Sequence, residues 1–378
     1  MDYCKVLSLQ HLSCSKTVQL LFNKHIPSID VSNMAPPLIR FKLMIIRTIP
    51  HSEYRRLKKQ LEMDIKKLNL SVALQKRMES YITPIFCEIE EWLNACFLIW
   101  AKKDDTMLVV MKSIPHCWST DGTLDRAKSA KLIARNNNLL LINRFIFACI
   151  YCVYEEIQNL WEQLTPKDKA YFLEENSLHS YLNSIIKEWI TYLESWLNKD
   201  WQFCVAWILG TKLWEMNVYV MKRVLLALTP IERSHYLLQA LIDKEVDSDV
   251  MRFCLMIMTR DELELVCKAS AVQVFKGLAS WPLRTCFTEI IDKFWPYITV
   301  EEFTDLVSML LHKIKDEKYD YPDLATILKK FWSKSPPRYR RIAGENLRDL
   351  SRALYFVLRF EYSFTKQAYL DCWSIPEE

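Results

Sequence analysis

Apolar residues recur at helical spacing over the C-terminal two thirds of the chain. Phe287, Ile290, Ile291, Phe294 and Ile298 fall at i, i+3, i+4, i+7 and i+11, and Phe303, Leu306, Val307, Leu310 and Ile314 repeat that pattern after a break. Side chains so spaced share one helix face, so the two runs predict successive amphipathic helices. The break contains Thr299-Val300-Glu301-Glu302. In that order the Thr hydroxyl accepts from the backbone N–H three residues on, while the Glu returns to the N–H of the Thr, which starts a helix.

The same start signal recurs. Thr165 with Asp168, Thr229 with Glu232, Thr259 with Glu262 and Thr299 with Glu302 all follow an apolar residue, and Pro166 and Pro230 occupy the first helical position of two of them. LTPKDKAYFL from Leu164 and LTPIERSHYL from Leu228 keep residue class at most positions. The caps lie 64, 30 and 40 residues apart, intervals that suit stacked helical hairpins with one degenerate unit in the long gap. The expected fold is therefore all-α, a solenoid-like array of antiparallel helical hairpins, with a compact multi-helix domain as the alternative. The Thr-Pro starts resemble those of ankyrin repeats, but neither T-P-L-H-x-A nor the loop glycines of that unit are present, and no repeat family is assigned.

The first third is less regular. Pro27, Pro36, Pro37 and Pro50 punctuate residues 1–50, which predicts short helices and extended connections there. A basic helix is expected over Glu53 to Met78, with Arg55, Arg56, Lys58, Lys59, Lys66, Lys67, Lys76 and Arg77 against three acids. SIPHCWSTDGTLDR, residues 113–126, gives the strongest loop signal. The expected organisation is an irregular and helical region over 1–112, a polar loop or linker over 113–138, and a helical-repeat domain over 139–378.

Composition narrows the chemistry. Four glycines in 378 residues compare with roughly 26 at average usage, and they are at least 67 residues apart. Neither G-x-G-x-x-G nor a P-loop can exist, so Rossmann and P-loop enzymes are excluded. Fifty Lys and Arg against 46 Asp and Glu leave +4, no global signal for nucleic acid. The longest apolar run, Phe145 to Tyr154, is ten residues, about half of what a membrane-spanning helix requires. Twelve scattered cysteines and an N-terminus broken by Asp2, Lys5 and His11 predict reduced thiols in cytoplasm or nucleus and no secretion.

Candidate metal and catalytic sets are weak. Asp243 to Asp249 alternates acids, but Ser248 stands where an EF-hand needs Gly and Cys254 where it needs Glu. Cys149 and Cys152 lack the further ligands of a zinc site, and buried thiols are expected. No metal or cofactor is expected. His116 and Cys117 supply a base and a thiol, the ingredients of a thiol-dependent enzyme, though adjacent residues rarely face each other. Trp189, Trp196, Trp201, Trp207 and Trp214 make the chain locally tryptophan-rich and predict a core.

The segment from Lys329 to Arg341 carries six cations, three aromatics and no acid. Lys329, Lys330, Trp332, Lys334, Arg338, Tyr339, Arg340 and Arg341 are the candidate partner or nucleic-acid patch, since cations neutralise phosphate while aromatic faces stack on bases. The plain alternative is an inter-helix connection with Ser335 capping the next helix. The expected function is a non-enzymatic scaffold or adaptor that binds another protein. Nucleic-acid binding through 329–341 is the first alternative, and a thiol enzyme at His116 and Cys117 the second.

Overall fold

The computed structural model describes residues 9–29, 49–99, 110, 112, 114, 117–119, 121–173, 180–195, 200–213, 217–243, 248–285, 287, 291–293, 295–316, 322–360 and 365–374. Among them the protein is all-α, with 18 α-helices and a single isolated β-bridge, Trp118 to Leu124. Contacts divide the chain into two units, Leu9–Leu228 and Thr229–Glu378.

In the first unit, α1 (Leu9–His25), α2 (His51–Lys67) and α3 (Val72–Ile99) pack on one another. The single basic helix expected over 53–78 is thus two helices. Asn69 is the reason: it takes left-handed backbone, φ 50°, a conformation that Asn tolerates and that ends helices. Two residues on, the Ser71 hydroxyl accepts from Leu74 N at 3.4 Å and starts α3.

The unit continues with α4 (Arg126–Ala134), α5 (Leu141–Ile150), α6 (Tyr154–Gln163), α7 (Pro166–Leu173), α8 (Ser180–Glu194), α9 (Trp201–Leu209) and α10 (Val218–Ala227). α5 is buried along nearly its whole length and packs against α3, α4, α6 and α8. It stops without glycine: Cys152 adopts φ 51° and Val153 N donates to Ala148 O at 2.9 Å, a Schellman-type closure. Asn217 starts α10, its Oδ1 accepting from Tyr219 N at 2.9 Å while its amide donates to Ile150 O at 2.9 Å.

The polar segment after residue 113 is tied down at its described positions. His11 is buried, with Nδ1 3.1 Å from the Tyr81 hydroxyl and Nε2 3.1 Å from Asp121 O. The carbonyl can only accept, so Nε2 carries the proton, and burial pushes the His11 pKa down. Trp118 Nε1 donates to Asn23 Oδ1 at 2.9 Å and Leu124 N to Glu88 Oε2 at 3.2 Å.

The second unit comprises α11 (Pro230–Asp243), α12 (Ser248–Ile257), α13 (Arg260–Leu278), α14 (Val300–Asp316), α15 (Pro322–Lys334), α16 (Pro337–Asn346), α17 (Ser351–Arg359) and α18 (Lys366–Ser374). α13 is broken by non-helical backbone at Ser270. α12 and α13 approach closely at Gly277, where an added Cβ would lie 2.7 Å from Met251 Cγ. A bidentate, buried pair joins α11 to α13: Arg233 Nε and Nη2 donate to Glu262 at 2.7 and 3.0 Å.

All four Thr start signals are realised. Glu232 N, Glu262 N and Glu302 N donate to their Thr hydroxyls, and each Glu accepts the Thr N–H at 2.9, 2.7 and 2.8 Å. At α7 the Asp168 carboxylate accepts from the Thr165 hydroxyl at 2.7 Å. Phe303, Leu306, Val307, Leu310 and Ile314 form the buried face of α14 as expected. The helix expected over 287–298 is not continuous: Ile291–Lys293 and Trp295–Tyr297 are separate 3₁₀ turns, and Pro296 lacks the N–H that an α-helix would need there. Ile290 and Phe294 lie outside the described residues.

Candidate functional site

The segment 329–341 is built mostly of helix. α15 supplies Lys329 to Lys334, and α16 begins at Pro337, so Ser335 and Pro336 alone connect them. Ser335 does not cap α16. Its hydroxyl donates back to Trp332 O at 2.7 Å, while the α16 N-cap, Pro336, provides no side-chain hydrogen bond.

The aromatic residues of the segment face inward. Phe331 is buried and stacks on Trp295 at 5.5 Å with an 11° interplanar angle, and it lies 5.0 Å from Phe303. Trp332 and Tyr339 are half-buried beside Phe303, at 5.9 and 5.7 Å. The Tyr339 hydroxyl donates to Ile298 O at 2.8 Å. These rings close the space between α14, α15 and α16, burying large area in offset and edge contacts.

The cations divide into two sets. Lys329 Nζ donates to Phe360 O at 2.9 Å and sits over that ring. Lys334 pairs with Asp292 at 2.6 Å, and Arg340 donates to Ser333 O at 3.0 Å. Lys330, Arg338 and Arg341 are exposed. Arg338 and Arg341 lie one turn apart on α16, whose first turn contains no acid. Positive charge at a helix N-terminus is disfavoured by roughly 0.3–1 kcal/mol per group at low salt, so this face is electrostatically suited to meet anions.

Other sequence candidates fare differently. Cys117 is buried and its thiol is pushed up, chiefly by burial, which lowers the thiolate fraction that nucleophilic attack requires. His116 lies outside the described residues, as do 244–247 of the acidic stretch. Cys149 and Cys152 are buried, with both thiols raised by desolvation. Among the described residues no group of His, Cys, Asp and Glu is arranged to hold a metal. Trp189 is fully buried, donating to Cys149 O at 3.0 Å, and contacts Trp207 at 6.4 Å. Trp196 and Trp214 lie outside the described residues. Among the described residues, an open groove along α14 is lined by Asp305, Ser308, Met309, His312, Lys313 and Asp316, all from that helix. No described helix is long and apolar enough to cross a membrane.

No protein-family model matches the chain, and no significant match is found among curated proteins or solved structures.

Proposed function

We propose that the chain is a non-enzymatic, protein-binding scaffold or adaptor, a solenoid-like run of helical hairpins whose exposed cations on α15 and α16 receive an acidic segment of a partner protein. One observation carries the choice of partner: the aromatic rings of 329–341 pack inward while Lys330, Arg338 and Arg341 remain outside. Single-stranded nucleic acid is held by aromatic faces on which bases stack as well as by cations. A carboxylate-rich peptide needs only the cations, with arginine forks suited to bidentate contact. The described cysteines, all free thiols, suit a reducing cytoplasm or nucleus.

Fluorescence anisotropy tests the reading, with oligoglutamate and single-stranded oligothymidylate compared across a salt series. Salt-sensitive binding of the peptide, weakened about tenfold or more by Lys330→Ala/Arg338→Ala/Arg341→Ala, is the expected result. Tighter binding of the oligonucleotide, lost in the same variant, would replace this reading with nucleic-acid recognition. Small-angle scattering tests the architecture, since a radius of gyration near roughly 21 Å, the value for a compact chain of this length, would remove the solenoid.

A further inference from the structure

The turn joining α2 to α3 and the first two residues of α3 are exposed throughout, from Leu68 to Ala73, and three of these six residues are large and apolar: Leu68 is 40% exposed, Leu70 37% and Val72 67%. The turn is firmly hydrogen-bonded. Leu68 N donates to Ile65 O at 3.1 Å, Asn69 N to Lys66 O at 3.4 Å, and the Gln75 amide to Leu70 O at 2.9 Å. These bonds fix the backbone of the turn, while its apolar side chains stand in contact with water.

Cations surround the turn. Lys66, Lys67, Lys76 and Arg77 fall within twelve residues that contain no acid; Lys66 and Lys76 are exposed, and the Lys67 side chain is 74% exposed. The end of α1 adds Lys24, 67% exposed, which reaches Asp64 at 3.4 Å. Asp64 is nearly buried and already shared: Lys67 donates to it at 2.9 Å and His25 lies 3.0 Å away. Those hydrogen bonds, Lys67 first, hold its carboxyl well below the usual range. Its charge is therefore neutralised within the fold, and the neighbourhood of the turn presents excess positive charge.

We propose that this knuckle docks on an anionic lipid bilayer, with Leu68, Leu70 and Val72 entering the headgroup boundary while Lys24, Lys66, Lys67 and Lys76 meet acidic headgroups. Six exposed residues offer far less than the roughly 800 Å² per side of a stable protein interface. A narrow apolar tip ringed by long basic side chains matches the layered chemistry of a membrane surface, apolar below and anionic above.

Co-sedimentation of the full chain with phosphatidylcholine vesicles, with and without phosphatidylserine, tests this. Partitioning should require the anionic lipid and weaken with salt. Leu68→Ser/Leu70→Ser/Val72→Ser should lower it about tenfold or more, and Lys66→Glu/Lys76→Glu by a similar factor of about ten. Both sets lie on the surface, and unchanged circular dichroism checks the fold. Lys330→Ala/Arg338→Ala/Arg341→Ala should bind vesicles within about twofold of the parent chain, keeping this test separate from the α15–α16 reading. Equal sedimentation on neutral vesicles, a serine variant that partitions like the parent, or loss of binding in the α15–α16 variant would each overturn the proposal. So would a concentration-dependent dimer in sedimentation velocity that the serine variant abolishes, since the knuckle would then bind a second copy.

Discussion

Two basic, acid-free stretches do opposite things with their apolar residues. Between Lys329 and Arg341 the rings of Phe331, Trp332 and Tyr339 turn inward against Phe303 and Trp295, while Lys330, Arg338 and Arg341 remain outside. Between Lys66 and Arg77 the apolar residues Leu68, Leu70 and Val72 stand outside with the cations. The difference lies in the connections. Ser335 and Pro336 join α15 to α16 tightly enough for apolar residues on both helices to reach α14, whereas the turn around Asn69 projects its own side chains away from α1 and α3. Charge and hydropathy along a sequence therefore do not decide whether a basic segment is a core edge with a charged rim or an exposed apolar tip.

The contrast can be broken most sharply by truncating one apolar residue in each stretch. Phe331→Ala should cost about 3–5 kcal/mol in chemical denaturation, and Leu70→Ser no more than about 0.5 kcal/mol; equal costs would erase the distinction. Next in size is Asp64→Asn, which removes the negative charge beside Lys67, His25 and Lys24 and one of its two acceptor oxygens, and should cost about 2 kcal/mol near neutral pH. The Asp64 pKa is lowered in the folded state, so its contribution is complete above the unfolded value and is lost as pH falls through the folded one. Thermal melts of the two proteins should accordingly differ by a constant amount down to about pH 4 and converge below it. Asn69→Ala tests the turn itself and should cost about 1 kcal/mol through left-handed strain, while Asn69→Gly should be near neutral. The smallest effect is expected for Lys330→Ala/Arg338→Ala/Arg341→Ala, within about 0.5 kcal/mol in the same denaturation assay. A larger loss would mean that these cations serve the fold.

Local signals in the sequence were reliable where the chemistry was local. A Thr followed three residues later by an acid describes a hydrogen-bonding unit, and in all four the Thr hydroxyl accepts from the backbone N–H of the acid, three of them with the acid also accepting the N–H of the Thr. The buried face of α14 was legible for the same reason, since spacing alone decides which side chains share it. The 287–298 run has identical spacing, but Pro296 breaks it into 3₁₀ turns, and periodicity carries no information about a missing N–H. The division of the basic helix was visible in principle, since Asn69 followed by Ser71 is a stop and a start, although the charge pattern runs on across it. The inward packing of Phe331 and Tyr339 was not legible, because it depends on α14 and the turn at Trp295, distant in sequence. For Cys117 the burial that raises its thiol also comes from tertiary packing.

The stop of α5 has a further consequence. Cys152 closes that helix with left-handed backbone and a buried thiol, so a reagent can reach its sulfur only when the corner between α5 and α6 opens. Its rate of modification under native conditions is thus a built-in clock for that opening, reporting a local breathing motion at a helix end where a glycine would have been silent.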